Sequence, residues 1–247
     1  MQVTSMPLGE DDSTPEHRRN LLTAALDKAL SVQGTVVAGN IARARQRNPE
    51  ATPQQVVHTL ESMYRTALAG TGAAVGAVAA APGVGTAAGL ALAGGEVLSS
   101  LELSALFALS VAEVHGVRVD ELERRRTLVL GVVLGGGASQ TIEKVAGRTG
   151  PHWAKAIVNA IPVSQLKQIN KVLGQNFVTK WGTKQGIIVL GNVVPFGIGA
   201  VIGGGANLGM AELTVRAARR AFGPAPTAWP GSYDTSSVSG VDPMGEE

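Results

Sequence analysis

The side chains able to do chemistry are few in this chain, and their spacing points away from catalysis. Glu96, Glu102 and Glu113 stand in an otherwise apolar stretch, and Glu102 and Glu113, eleven residues apart, share nearly one helix face. Buried, such carboxylates would be able to hold protons or ions; facing solvent or paired with bases, they would do neither. His17, His58, His115 and His152 are isolated and lack the spacing of a zinc-binding helix. Cysteine is absent, which removes disulfides, thiolate metal sites and Cys nucleophiles together. Gly83, Gly85 and Ala88 fit a G-x-G-x-x-A pattern. A dinucleotide fingerprint needs a β-branched strand ahead of its glycines, whereas alanines and Pro82 precede them here. Residues 187–190 would serve as a strand before Gly191, but no Gly-Lys-Ser/Thr follows. No catalytic, cofactor-binding or metal-binding set emerges, so the expectation is a protein that is not an enzyme and carries no cofactor.

The elements that would position these residues are helical. Hydrophobic residues make up 45% of the 247, an ordinary share, but there are 32 glycines and only 4% aromatics. The apolar content therefore comes mainly from Ala, Val and Leu. Ser13-Thr14-Pro15-Glu16 and Thr52-Pro53-Gln54-Gln55 read as capping boxes, with Pro early enough to have no hydrogen-bonding duty. Asp120-Glu121-Leu122-Glu123 is a third start, Gly150-Pro151 a fourth, and Ile161-Pro162-Val163 a further break. Gly116 and the run Gly135-Gly136-Gly137 read as stops. The pattern predicts helices over 15–47, 53–81, 86–115, 121–135, 138–148, 151–161, 163–174, 176–190 and 196–222. The fold expected is all-α, a multi-helix bundle with two Pro/Gly-broken apolar helical hairpins. A single domain spans 14–222, with 14–50 as an N-terminal helical extension. Residues 1–13 are expected to be disordered, as are 223–247, where four Pro, four Gly and four Ser leave few large apolar groups.

Two long stretches carry no charge: residues 66–95, broken by Pro82, and residues 185–211, broken by Pro195. Either is long enough to cross a bilayer, for which ~20 helical residues suffice. The first holds six large aliphatics, worth only about −2 to −4 kcal/mol on an insertion scale. The second is about twice as favourable on the same scale, with Asn192 and Asn207 opposing. Pro82, Gly83, Gly85 and Gly89 are echoed by Pro195, Phe196, Gly197, Gly199 and Gly203. Glycines four apart strip one helix face and let backbones approach. Either the segments form hairpins that dip into or cross a membrane, or they form tight hairpins in a soluble core.

Charge is distributed unevenly around them. Residues 96–123 carry six acids and one base, whereas 144–184 carry seven bases and no acid. Lys155, Lys167, Lys171, Lys180 and Lys184 form a candidate basic surface. Lys167 and Lys171 flank a stripe of Leu166, Ile169, Val172 and Leu173, with Phe177 and Trp181 following. Such a helix suits an anionic membrane surface; equally, its stripe would pack into a core. A formal net charge of +2 is too small to announce a nucleic-acid binder. The acidic start (Glu10, Asp11, Asp12) shows no secretory signal pattern, which places the chain on the cytoplasmic side.

Over most of residues 50–225 the chain resembles the EcsC family. The resemblance is carried by Pro82-Gly83-Val84-Gly85 through Gly95-Glu96, by Val111-Ala112-Glu113-Val114-His115-Gly116, and by Ile161-Pro162-Val163 to Lys171-Val172-Leu173-Gly174. Most specific is Val194-Pro195-Phe196-Gly197-Ile198-Gly199-Ala200-Val201-Ile202-Gly203, followed by Arg216, Arg219, Arg220, Ala221 and Phe222. Near residue 96 the family often shows an Asp where this chain has Glu96. The family is named for a gene beside the subunits of an ABC exporter. The resemblance implies a membrane-associated accessory or scaffold protein without catalytic residues, at the inner membrane as a peripheral or partly inserted protein. Its partner would be membrane lipid or a membrane protein complex such as an ABC transporter, with no nucleic acid. The alternative is a soluble helical protein that binds an apolar ligand, such as a lipid, in a glycine-lined core.

Overall fold

The computed structural model describes residues 15–32, 34–79, 86–146, 152–181 and 198–230. Among these the fold is an all-α multi-helix bundle without a strand: α1 (Pro15–Leu30), α2 (Gly34–Arg45), α3 (Pro53–Ala79), α4 (Thr86–Val114), α5 (Leu122–Leu134), α6 (Gly136–Ala146), α7 (Ala154–Asn159), α8 (Val163–Asn176) and α9 (Ile198–Phe222). A π-helical turn, Phe177–Trp181, extends α8.

α4 is the central post. Leu101, Ala105, Ala108, Val111, Ala112 and Val114 are all buried. It contacts α1, α2, α3, α5 and α9, which explains a helix apolar on nearly every side. α3 packs most extensively on α9 and then on α4, while α5 leans chiefly on α8. Tyr64 of α3 stacks on Phe107 of α4 with ring centroids 4.6 Å apart, and its hydroxyl lies 2.8 Å from Ser104 Oγ. Asn40 Nδ2 of α2 donates to Ser110 Oγ at 3.0 Å.

Helix ends follow the punctuation closely. The Thr52 amide donates to Gln55 Oε1 at 2.9 Å and the Gln55 amide returns to Thr52 Oγ1 at 3.3 Å, a closed capping box. α4 ends in a Schellman motif: Gly116 N bonds Glu113 O at 2.9 Å, Val117 N bonds Ala112 O at 2.8 Å, and Gly116 has φ +69. The start at Asp120-Glu121 differs, because Glu121 makes no side-chain cap and its carboxylate bonds Arg124 Nε instead.

Three expectations are corrected. The helix expected over 15–47 is two, broken between Leu30 and Gly34, and the freed carbonyls of Leu30 and Val32 accept from Arg125 Nη1 at 3.2 and 2.9 Å. Nor is 14–50 an extension, since Leu26, Leu30, Val37 and Ile41 belong to the one core. The tail is not disordered from 223: residues 223–230 fold back, with Trp229 Nε1 donating to Ala51 O at 3.1 Å and Arg45 stacking over the indole. Residues 1–13, for which disorder was expected, lie outside the described residues, as do 231–247.

Arg124, Arg125 and Arg126 form a second set of staples at the start of α5, where cations oppose the helix dipole. Arg124 Nη1 caps the end of α7 at the carbonyls of Ile157 and Ile161. Arg126 faces Asp27 of α1 at 3.8 Å. The run of three arginines stitches α1, α5 and α7 together.

Candidate functional site: the two ends of the α3–α9 pair

α3 and α9 run antiparallel, as three cross-links in register show. Arg219 meets Glu61, Arg65 Nε bonds Glu212 Oε2 at 2.9 Å, and Asn207 Nδ2 donates to Leu68 O at 3.1 Å. Moving along α3 from 61 to 68 therefore means moving back along α9 from 219 to 207. The pair consequently has two unlike ends.

At one end sits a cluster of ions. Glu61 is 2% exposed and takes Arg219 Nε at 2.7 Å on Oε1 and Nη2 at 2.5 Å on Oε2, with Arg65 Nη1 at 3.7 Å. Glu212 accepts from Arg65 and from Arg216 Nε at 3.2 Å. The hydrogen bonds from Arg65 and then Arg216 hold the Glu212 carboxyl below its ordinary value. The Glu61 hydrogen bonds raise the guanidinium of Arg219 further above its own.

At the other end there is no charge. α3 carries none from Thr66 to Ala79, and α9 none from Ile198 to Ala211. Thr66, Gly70 and Ala74 of α3 are exposed one above another. There α9 turns Gly205, Leu208 and Gly209 outward, Leu208 45% exposed, and a side chain added at Gly70, Gly205 or Gly209 would meet open space; Leu213, 56% exposed, follows Glu212 at the border with the ions. Asn207, expected to oppose membrane insertion, points inward at α3 and is buried.

The residues singled out from sequence fall unevenly around this pair. Pro82, Gly83, Gly85, Pro195, Phe196 and Gly197 lie outside the described residues, as does Lys184. Gly89 is within α4, and Gly199 and Gly203 are within α9, all in helical conformation. Lys180 belongs to the π-helical turn, while Lys155, Lys167 and Lys171 are exposed as expected. Lys167 and Lys171 line a groove of about 490 Å³ with Arg126, Glu123 and Asn170. Of the apolar stripe beside them, Leu166, Ile169 and Leu173 are fully buried, whereas Val172 is 41% exposed.

The acids need correction. Glu96 has no described side chain. Glu102 is 37% exposed and pairs with Lys28 at 3.1 Å; Glu113 is half-buried and pairs with Arg118 at 3.4 Å. They do not meet, because eleven residues of helix set them ~16 Å apart and each is tied to its own base. Among the described residues the buried acid is Glu61, which sequence reasoning passed over. A signal existed: Val57, Glu61, Tyr64 and Leu68 follow the spacing of a core face.

Among the described residues no helix is long and apolar enough to cross a membrane, and no group of His, Cys, Asp or Glu is arranged to hold a metal. At Gly131 of α5 the space beside the glycine is filled: a Cβ there would meet Trp153 Cζ2 at 2.9 Å. No protein-family model, no curated protein and no solved structure matches this chain.

Proposed function

We propose that this protein is a non-enzymatic helical accessory protein that docks reversibly on the surface of a lipid bilayer, working from the cytoplasmic side as the resemblance to the EcsC family implies. The observation that carries the reading is the separation of charge along the α3–α9 pair, with the ions toward one end, exposed Gly70, Ala74, Gly205, Leu208 and Gly209 toward the other, and exposed Leu213 at the border. Burying the exposed halves of Leu208 and Leu213 is worth roughly 1.5 to 3 kcal/mol, a contribution to weak, reversible attachment and far from permanent anchoring.

Sedimentation with lipid vesicles tests it. The full chain is expected to pellet with vesicles of mixed zwitterionic and anionic lipid. L208E/L213E, made at exposed positions that leave the fold intact, is expected to lose at least tenfold in affinity. A tryptophan placed at Leu208 is expected to be quenched by brominated acyl chains. A chain that ignores both lipid compositions, or an L208E/L213E variant that binds like the wild type, overturns the reading.

A further inference from the structure

The ionic end of the α3–α9 pair opens into a cleft of about 1170 Å³, on the scale of small-molecule sites. Its walls come from the end of α2, the first turns of α3, the end of α9 and residues 223–225. Arg43, Arg47 and Arg219 line it against a single carboxylate, Glu61, whose two oxygens are both taken by Arg219. That pairing holds the guanidinium by its Nε–Nη2 edge, and Nη1 has no hydrogen-bond partner among the described residues. Arg219 is anchored from below yet 57% exposed, while Arg43 and Arg47 are exposed and make no ion pair among the described residues.

The rest of the lining is mixed, with Val57, Met63 and Pro224 beside groups able to hydrogen-bond a polar ligand. His58 and His152 add imidazoles, and Gln46, Asn48, Gln54 and Gln55 add side-chain amides. Two features keep the walls in place. Trp229 and Arg45 pin the chain between α2 and α3, with Arg45 Nη2 donating to Pro49 O at 2.5 Å. Gly223, at φ +77, leaves room for the His152 ring, whose carbons lie 2.8 Å from where a Cβ would stand. A larger residue there would push the imidazole out of the cleft wall.

We infer that this cleft binds a phosphate ester, its dianion held by Arg43, Arg47 and the free edge of Arg219, and its polar body read by the glutamines of α3. Arginine forks match phosphate oxygens in pairs, and three of them against one committed carboxylate leave the cleft with surplus positive charge. Because the cleft lies at the ionic end, away from the charge-free end, it opens away from a bilayer docked there. A soluble phosphorylated molecule is therefore the source the geometry favours over a lipid headgroup. The ligand class itself does not depend on the membrane reading.

Calorimetric titration of the full chain with glycerol 1-phosphate, inorganic phosphate and unphosphorylated glycerol tests the inference. Saturable one-to-one binding of the ester is expected, with glycerol inert, shifts in the ring signals of His58 and His152, and at least a tenfold loss in R43Q/R47Q. Binding of phosphatidic acid vesicles alone, lost in R43Q/R47Q, sustains the phosphate site and assigns it to a headgroup. No saturable binding of either, or binding untouched by R43Q/R47Q, overturns it. R43Q/R47Q is expected to attach to phosphatidylglycerol vesicles as the wild type does, so failure here and failure of membrane docking are separately visible.

Discussion

Glu61 and Arg219, 158 residues apart, form a two-point ion pair in which the acid is buried and the base is not. The side chain of Glu61 is 3% exposed and that of Arg219 57%. That asymmetry decides which partner the fold can spare. Removing Arg219 strands a charge out of water with only Arg65 at 3.7 Å to answer it. R219A is therefore expected to cost about 3 kcal/mol, the low end for breaking a buried pair. E61Q leaves a guanidinium that water can reach and is expected to cost about 1 kcal/mol. Urea unfolding of both variants decides it, and equal losses would mean that the pair is not buried as described.

A tighter constraint sits at Gly131. The Trp153 ring, fully buried, packs where a Cβ would stand, with Ile142 Cδ1 at 3.1 Å on the other side. G131A is expected to destabilise by about 1 to 3 kcal/mol, an overpacking penalty on a helix where alanine is otherwise the better residue. The two ring atoms in contact belong to the six-membered ring, which phenylalanine would not project as far. In a W153F background, which also forfeits the 3.1 Å bond from Nε1 to Ser139 Oγ, the added penalty of G131A is expected to shrink. A double-mutant cycle with no coupling would refute the contact.

Much of this architecture was legible before any coordinates, and the parts that were not share a cause. Caps are local, so Thr52 with Gln55 and Gly116 as a stop are visible in a few residues of sequence. The break between α1 and α2 is not, because Gly34 alone marks it and the partner that stabilises the open end, Arg125, lies over 90 residues away. Trp229 was outweighed by the surrounding Pro, Gly and Ser, although one indole with a hydrogen bond and a stacked arginine orders its segment. The cleft was invisible for the same reason on a larger scale. Arg43, His58, His152 and Arg219 meet only in three dimensions. Glu61 is different, since its place on the face of Val57, Tyr64 and Leu68 was readable, and its partner was not.

Acid sensitivity is expected to begin with His115. The ring is buried against Phe222, and Nδ1 lies 2.8 Å from Val111 O. Burial pushes its pKa below the ordinary 6.5, with the carbonyls of Val111 and Gly223 pulling the other way and Lys155 adding to the depression. The unfolded chain then binds a proton at a higher pH than the folded one, so stability is complete above 6.5 and falls as pH drops from there toward the folded pKa. Glu212 opens a second window of the same sign below its ordinary 4.5. Unfolding free energies from pH 7.5 to 5 should decline in the wild type and flatten in H115L. An imidazole of His115 that titrates by NMR at or above 6.5 would exclude this account.

The arginine run offers the most direct test of how the bundle is assembled. Arg125 spends its donors on three backbone carbonyls, Nη1 on Leu30 and Val32 and Nε on Val119 at 3.3 Å. Those acceptors are the end of α1 and the strap ahead of α5, so one side chain closes a helix terminus and fixes its neighbour. R125A is expected to leave the Leu30 and Val32 carbonyls without protein partners and to cost about 2 kcal/mol, on the scale of hydrogen bonds to a charged group. Lysine, a single point of charge on a flexible stem, is expected to recover less than half of it. The loss should be local: hydrogen exchange is expected to quicken in α1 and at the α1–α2 junction while α3 and α9 hold their protection. Uniform acceleration across all helices would instead make Arg125 a determinant of the whole core rather than a staple at one corner of it.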